Sequence, residues 1–299
     1  MQKDELNNKI DFIIIGVGKS GTTWLADMLR QHPDIYIPKE KELHYFNAKF
    51  ADDSKVVLDN YNHSQPIEWY LNFFRGAKPG QIKGEATPEY FWDDAAAKNI
   101  RDFNPDIKLI AILREPVERA LSDHLYWRFR EGLTDEMDLE ESIKLQKDLL
   151  ESGLYYQYLR LYFNLFPKEN IRVLLFDSLK ADNRGFLETV DEFLGVRKHI
   201  PENIDQASNV TGVPRFGIIN KMVRVGRRIL RKYRLYFLID FFRVTGLAWM
   251  AMKVINKNVK PYDEKPELGA ELHQKLKKYY EADIKELENL IGQDLSAWK

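Results

Sequence analysis

The sequence predicts an α/β fold: one three-layer domain with a central parallel sheet and helices on both faces, followed by a basic helical C-terminal segment. Three observations carry this reading. Short apolar runs at 12–15, 108–113 and 171–176 alternate with stretches of helical length, as in a parallel sheet with crossover helices. Two of these runs end in turns marked by glycine or proline, at strand ends where such sheets bind ligands. Charge is segregated: residues 215–260 hold twelve basic residues and one acid, Asp240, a net +11 in a chain whose total is −1.

The elements follow in order. Phe12-Ile-Ile-Ile15 reads as a buried strand, and a glycine-rich turn holding Lys19 leads to a helix over 22–32 that opens at Thr22 or Thr23. A strand at 35–37 precedes a loop region with Glu42 and His44. Helix 67–75, strand 81–84, helix 94–103 and strand 108–113 come next. Pro116 suits the first turn of a helix over 116–131. Helices near 138–151 and 153–166, strand 171–176 and helix 183–194 complete a core spanning 10–200. Residues 215–260 are expected to form a helical cap, and 261–299 a C-terminal helix and tail, within one domain over 1–299.

Chemistry concentrates at two strand ends. Gly16, Gly18 and Gly21 let the backbone wrap an anion, a helix N-terminus offers unpaired N–H groups, and Lys19 adds a mobile cation. The nucleotide triphosphatase loop G-x-x-x-x-G-K-[ST] is not satisfied, because its first glycine falls on Ile13. About ninety residues on, Arg114 closes a strand and Ser122 lies two turns into the next helix. A guanidinium fork and a hydroxyl are the pair that holds a phosphate monoester.

Gly-Lys-Ser-Gly-Thr-Thr-Trp at 18–24 resembles the 5′-phosphosulfate loop of sulfotransferases that use 3′-phosphoadenosine 5′-phosphosulfate. The strand followed by Arg114-Glu-Pro and Ser122 is similar to that family's 3′-phosphate site. Lys39-Glu-Lys-Glu42-Leu-His44-Tyr-Phe46 and Gly84-Glu85-Ala-Thr-Pro88-Glu-Tyr90-Phe resemble segments of heparan sulfate sulfotransferases and their bacterial relatives. The likeness runs from about Asp11 to Asp177, with a fainter tail at 209–215 and 290–298. It departs at Ala86, where glycan-processing members carry lysine.

This resemblance implies a P-loop-like fold and sulfuryl transfer to an acceptor hydroxyl on a carbohydrate, glycolipid or small metabolite. The donor would be 3′-phosphoadenosine 5′-phosphosulfate, leaving 3′-phosphoadenosine 5′-phosphate, with no metal required. It assigns Gly18, Lys19, Ser20, Gly21, Thr22, Thr23 and Trp24 to the 5′-phosphate, Arg114 and Ser122 to the 3′-phosphate, and Tyr155 and Arg215 to the adenosine or 3′-phosphate. Lys19 is then the catalytic cation, Glu42 the base with His44 orienting it or replacing it, and Glu85, Glu42 and His44 the acceptor contacts.

Composition sets bounds. With 44% apolar residues the chain reads as an ordinary globular protein, and the absence of cysteine excludes disulfides, thiolate metal sites and a cysteine nucleophile. No apolar signal region opens the sequence, and the most apolar stretch, 235–252, is broken by Asp240 and Arg243. A bacterial, cytoplasmic enzyme is expected, with no nucleic-acid partner. Within 218–233, Ile218, Met222, Val225, Ile229 and Tyr233 recur at helical spacing. Lys221, Arg224, Arg227, Arg228 and Arg231 fall mostly opposite them, so the apolar stripe is expected to bury against the sheet domain. The basic stripe would face an anionic acceptor or an anionic membrane. Two other readings compete: a small-molecule kinase using ATP and magnesium, with Lys19 on the phosphates and Asp177 holding the metal, and a non-enzymatic polyanion or membrane-surface module built on 215–260.

Overall fold

The computed structural model describes residues 9–51, 57–59, 62–131, 139–145, 148–205, 212–233, 235, 238, 241–242, 247, 258–261 and 268–299. The chain divides into two compact units. The first holds Met1–Glu115, Leu154–Ser208 and Glu281–Lys299; the second holds Pro116–Gly153 and Asn209–Tyr280.

In chain order the elements are β1 (Phe12–Gly16), α1 (Thr22–Leu29), β2 (Ile35–Tyr36), β3 (Lys49–Ala51), β4 (Val57–Asp59), α2 (Ile67–Asn72) and β5 (Ile82–Ala86). A 3₁₀ turn at Pro88–Trp92, α3 (Asp94–Phe103), β6 (Lys108–Leu113), α4 (Pro116–Glu131), α5 (Leu139–Leu145) and α6 (Asp148–Glu151) follow. Then come α7 (Tyr155–Leu165), β7 (Ile171–Leu175), α8 (Phe176–Ala181), α9 (Asn183–Leu194), β8 (Gly212–Pro214), α10 (Gly217–Lys232), β9 (Val259–Pro261) and α11 (Ala270–Ile291).

The first unit is built on a five-stranded sheet in the order β2-β5-β1-β6-β7, parallel throughout. β1 lies at its centre, and all five of its residues are buried. Each apolar side chain there contributes about 1.5–3 kcal/mol of transfer free energy. One face packs Phe12, Ile14 and Ile110 on Trp24, Leu25 and Met28 of α1 and on Phe186, Leu187 and Val190 of α9. The other carries the 3₁₀ turn, α3 and α7: Phe91 meets the Tyr155 ring edge-on, and Tyr162 donates to the Tyr90 carbonyl at 2.7 Å. The register of β1 against β6 shifts between Ile14 and Gly16. A Cβ at Gly16 would stand 2.6 Å from that of Phe91, so only glycine lets the chain leave the strand there.

Side chains close the helix ends. Asp93 accepts from the Ala95 and Ala96 amides at the start of α3. Lys108 Nζ donates to the Phe193 and Leu194 carbonyls at the end of α9 (2.8 and 3.1 Å), where a cation also meets the negative end of the dipole. Asp283 accepts from the Tyr155 and Tyr156 amides at the start of α7. Burial nevertheless raises its carboxyl to about 6, against the two backbone bonds that lower it.

This shift has a sign. Between roughly pH 4 and 6 the folded chain binds more protons at Asp283 than the unfolded chain, so ionisation costs stability as pH rises through that window. Asp283→Asn keeps an acceptor but cannot ionise. Denaturant titrations from pH 4 to 7 are expected to show the variant losing less stability across the window, by on the order of 1–2 kcal/mol after solvent screening. Parallel pH profiles would contradict this.

In the second unit, α4 buries Arg119 at 1% exposure, and its guanidinium donates to the Leu149 carbonyl at 2.6 Å. β8 and β9 pair antiparallel, and α10 packs on α4. The stripe expected to be buried is not: Ile218, Met222, Val225, Ile229 and Tyr233 are all exposed. The half-buried residues of α10 include Val223 and Leu230, on a different arc of the helix. Among the described residues no helix is long and apolar enough to cross a membrane.

Candidate active site

The turn after β1 builds the first part of the site. Gly21 is the N-cap of α1 in the left-handed region (φ 89), and a Cβ there would stand 2.7 Å from Leu179 Cδ2. No side chain caps this helix and no acid lies in its first turn, so its amides and dipole stand ready for an external anion. Ser20 is fully buried, and its Oγ has no hydrogen-bond partner among the described residues. A buried hydroxyl in that state costs free energy, about 1–3 kcal/mol, which a bound oxyanion would offset. Thr22 is buried and Thr23 half-buried. These residues fit a phosphate group.

Lys19 adopts φ 71, Glu42 φ 61 and His44 φ 52, the non-glycine residues of positive φ among those described. Each such conformation costs about 1–2 kcal/mol for a side chain other than glycine. All three are residues that the sequence assigns to chemistry. Strain of this kind is kept where the surroundings fix a functional geometry.

Arg114 at the end of β6 joins the loop: its Nη1 donates to the Lys19 carbonyl at 3.2 Å, and the guanidinium lies 4.9 Å from the Phe176 ring centre. Tyr155 is completely buried and donates to the Arg114 carbonyl at 2.9 Å. It therefore fixes the strand end, which corrects its expected contact with the nucleotide. The Trp24 side chain is 7% exposed, donates to the Ile204 carbonyl and packs edge-on against Phe186.

A second loop brings the proposed base. The Glu42 amide donates to the Ala86 carbonyl at 3.0 Å, anchoring this loop to the end of β5. Lys41 bridges the two loops: its ammonium donates to Thr23 Oγ1 at the start of α1 and lies 3.2 Å from Glu42 Oε1. Glu42, His44 and Glu89 bring their side-chain ligand atoms within 4.8 Å of one another. The Glu89 carboxyl is raised by desolvation and by the Glu42 charge; with the residue exposed as a whole, like-charge repulsion is the cause that counts. One carboxylate of the pair is thus ion-paired and the other pushed toward its protonated form.

The tautomer of His44 follows from its neighbours. Asn47 Nδ2 donates to Asp93, which leaves Asn47 Oδ1 as the acceptor facing His44 Nδ1 at 3.1 Å. His44 therefore donates from Nδ1 to Asn47 Oδ1. The same Asp93 caps α3, so the helix start holds the imidazole in orientation.

Glu85 is corrected from acceptor contact to organiser. It is 2% exposed and accepts from Tyr70, Thr87 and Tyr90 hydroxyls at 2.7, 2.8 and 3.2 Å. Burial raises its carboxyl although these three bonds lower it. Asp177, the metal ligand of the kinase reading, accepts from Trp298 Nε1 at 3.1 Å and pairs with Lys180 at 2.8 Å. Gly18 lies in the loop, where an added Cβ would meet only the Trp92 ring at 3.5 Å. Ser122 and Arg215 belong to the second unit. Ser122 is buried on α4, whereas Arg215 is exposed and donates from Nε to the Val259 carbonyl at 3.2 Å.

Sequence reasoning missed Lys41, Asn47 and Glu89. Lys41 sits in the run Lys39-Glu-Lys-Glu42, which reads as a solvated turn, Asn47 lies on irregular backbone, and Glu89 lies in a single 3₁₀ turn too short to show periodicity.

Comparison with known proteins identifies the family. Residues 9–211 match the family model described as a sulfotransferase domain. The human heparan sulfate glucosamine 3-O-sulfotransferase 3B1 is 31% identical over 212 residues, covering 68% of this chain and 50% of that protein. The human 3-O-sulfotransferase 5 is 30% identical over 206 residues, covering 65% and 54%. The chain thus spans about half the length of the curated relatives it matches. In fold it is similar to a crystal structure of a sulfotransferase from Alicyclobacillus acidocaldarius, with TM-score 0.66 and 22% identity over 97% of this chain and 98% of that one. On the match across 9–211, the chain belongs to the sulfotransferase family.

Proposed function

We propose that the chain transfers a sulfuryl group from 3′-phosphoadenosine 5′-phosphosulfate to a carbohydrate hydroxyl. The observation that carries this is Lys41, which ties the uncapped start of α1 to Glu42 and so sets a carboxylate beside an anion site. The nucleotide supplies an activated sulfuryl group and a stable phosphate leaving group. In the reaction a bond forms between the acceptor oxygen and sulfur, and the bond from sulfur to the bridging oxygen breaks.

The chain's own residues do the rest. Gly18 to Trp24 hold the 5′-phosphate by backbone amides and the Ser20, Thr22 and Thr23 hydroxyls. Lys19 balances charge growing on the bridging oxygen, and Arg114 receives the 3′-phosphate. Glu42 takes the acceptor proton, with His44 beside it and Asn47 keeping His44 in its tautomer. The relatives named for heparan sulfate glucosamine favour an amino-sugar polymer as acceptor class. Ala86, in place of lysine, favours a less anionic sugar at that position.

The test is turnover. The full chain with this donor and a panel of neutral and sulfated glucosamine oligosaccharides is expected to release 3′-phosphoadenosine 5′-phosphate, with a chelator present. Activity seen only with ATP and magnesium would establish the kinase reading instead.

A further inference from the structure

The second unit carries an apolar face that its own fold leaves exposed. Phe216, Ile218, Met222, Val225 and Ile229 are 64, 68, 69, 42 and 48% exposed. On a helix of 3.6 residues per turn, Ile218, Met222, Val225 and Ile229 fall on one stripe. Val223 and Leu230, half-buried, fall on a second arc, and α10 packs on α4. Between these arcs the spacing places Lys221, Arg224, Arg228, Arg231 and Lys232.

α10 is therefore amphipathic twice over, with one apolar arc used inside the fold and the other turned to solvent beside a basic arc. The exposed stripe begins from a fixed point. Asn258 grips the backbone of Phe216 from both sides, accepting from its amide at 3.0 Å and donating to its carbonyl at 2.9 Å. The helix that follows is thus held at its start on the β8–β9 pair.

We infer that α10 docks this chain onto an anionic lipid surface, the apolar stripe entering the interface and the basic arc meeting lipid phosphates. A stripe of exposed apolar side chains flanked by cations and almost free of acids has the composition of an interfacial helix. A soluble polyanion would recruit the basic arc and leave the apolar stripe in water. A protein partner would not need the net +11 that residues 215–260 carry. The inference stands apart from the transfer chemistry.

Vesicle flotation of the full chain tests it. The chain is expected to float with vesicles of phosphatidylcholine and phosphatidylglycerol, to stay behind with phosphatidylcholine alone, and to release as salt rises. The triple variant Ile218→Ser, Met222→Ser, Ile229→Ser spares the packed arc. It is expected to keep its circular dichroism and melting profile while binding at least tenfold more weakly. Arg224→Glu with Arg228→Glu is expected to lose binding to a similar extent.

Absence of binding to the anionic vesicles would overturn the inference. So would binding that the triple variant retains in full, because charge alone would then explain it. Sedimentation showing a wild-type dimer and a monomeric triple variant would assign the stripe to a second copy of the chain, also overturning it.

Discussion

Replacing Lys19 by alanine is expected to lower kcat by about 10²–10⁴-fold, or roughly 3–5 kcal/mol of barrier. In the proposed mechanism the ammonium acts where charge develops on the leaving phosphate, and the Lys19 backbone holds φ 71, a conformation glycine favours. Strain and function can be separated. Lys19→Gly should be as inactive as Lys19→Ala, yet more stable than the wild type by about 1 kcal/mol, since glycine meets no Cβ penalty in the left-handed region. Steady-state kinetics with chemical denaturation checks both halves. A Lys19→Ala enzyme within threefold of wild-type kcat would remove the lysine from the chemistry.

The second large effect belongs to Glu42. Glu42→Gln keeps the size and hydrogen-bonding reach of the side chain but cannot take a proton at neutral pH. It is expected to lower kcat by about 10²–10⁴-fold while leaving nucleotide affinity within a few-fold. Its neighbours explain the assignment: Lys41 pairs with it, whereas Glu89 is raised and His44 is held at Nδ1 by Asn47. If Glu42→Gln retains near wild-type kcat and His44→Gln does not, the base is the imidazole. Asn47→Leu should then weaken catalysis too, by letting the ring turn.

The parts of this fold written as periodic apolar runs were legible in the sequence. Strand 108–113 and helices 94–103, 116–131 and 183–194 stand at the expected residues. The first strand runs one residue further, to Gly16, and the helix expected over 22–32 ends at Leu29. Short or irregular pieces were not legible: β3 and β4 are three residues each and α8 six, too short to show a period in the sequence. The expected helix near 138–151 is described as α5 and α6, with 146–147 outside the described residues.

The site divides the same way. The Lys19 loop and Arg114 follow from glycine spacing and a strand end, both local signals. Tyr155 and Glu85 look like ligands in sequence but are buried, because an aromatic or an acid near a motif does not reveal which way it points. Lys41 was hidden by its charged neighbours, and its role exists only because the chain returns to α1. In α10 periodicity shows apolar stripes but not which of two the fold will cover. The stripe with the stronger pattern is the exposed one.

The central claim is that the turn after β1 and the end of β6 together hold a nucleoside 3′,5′-bisphosphate. Titration calorimetry of the full chain with 3′-phosphoadenosine 5′-phosphate, against ADP with and without magnesium, tests it most directly. One site is expected, with the bisphosphate bound at least tenfold more tightly than ADP, no dependence on magnesium, and at least tenfold weaker binding in Arg114→Lys, whose point charge replaces the guanidinium fork. Equal affinity for ADP, or tighter binding of ADP with magnesium, would contradict it.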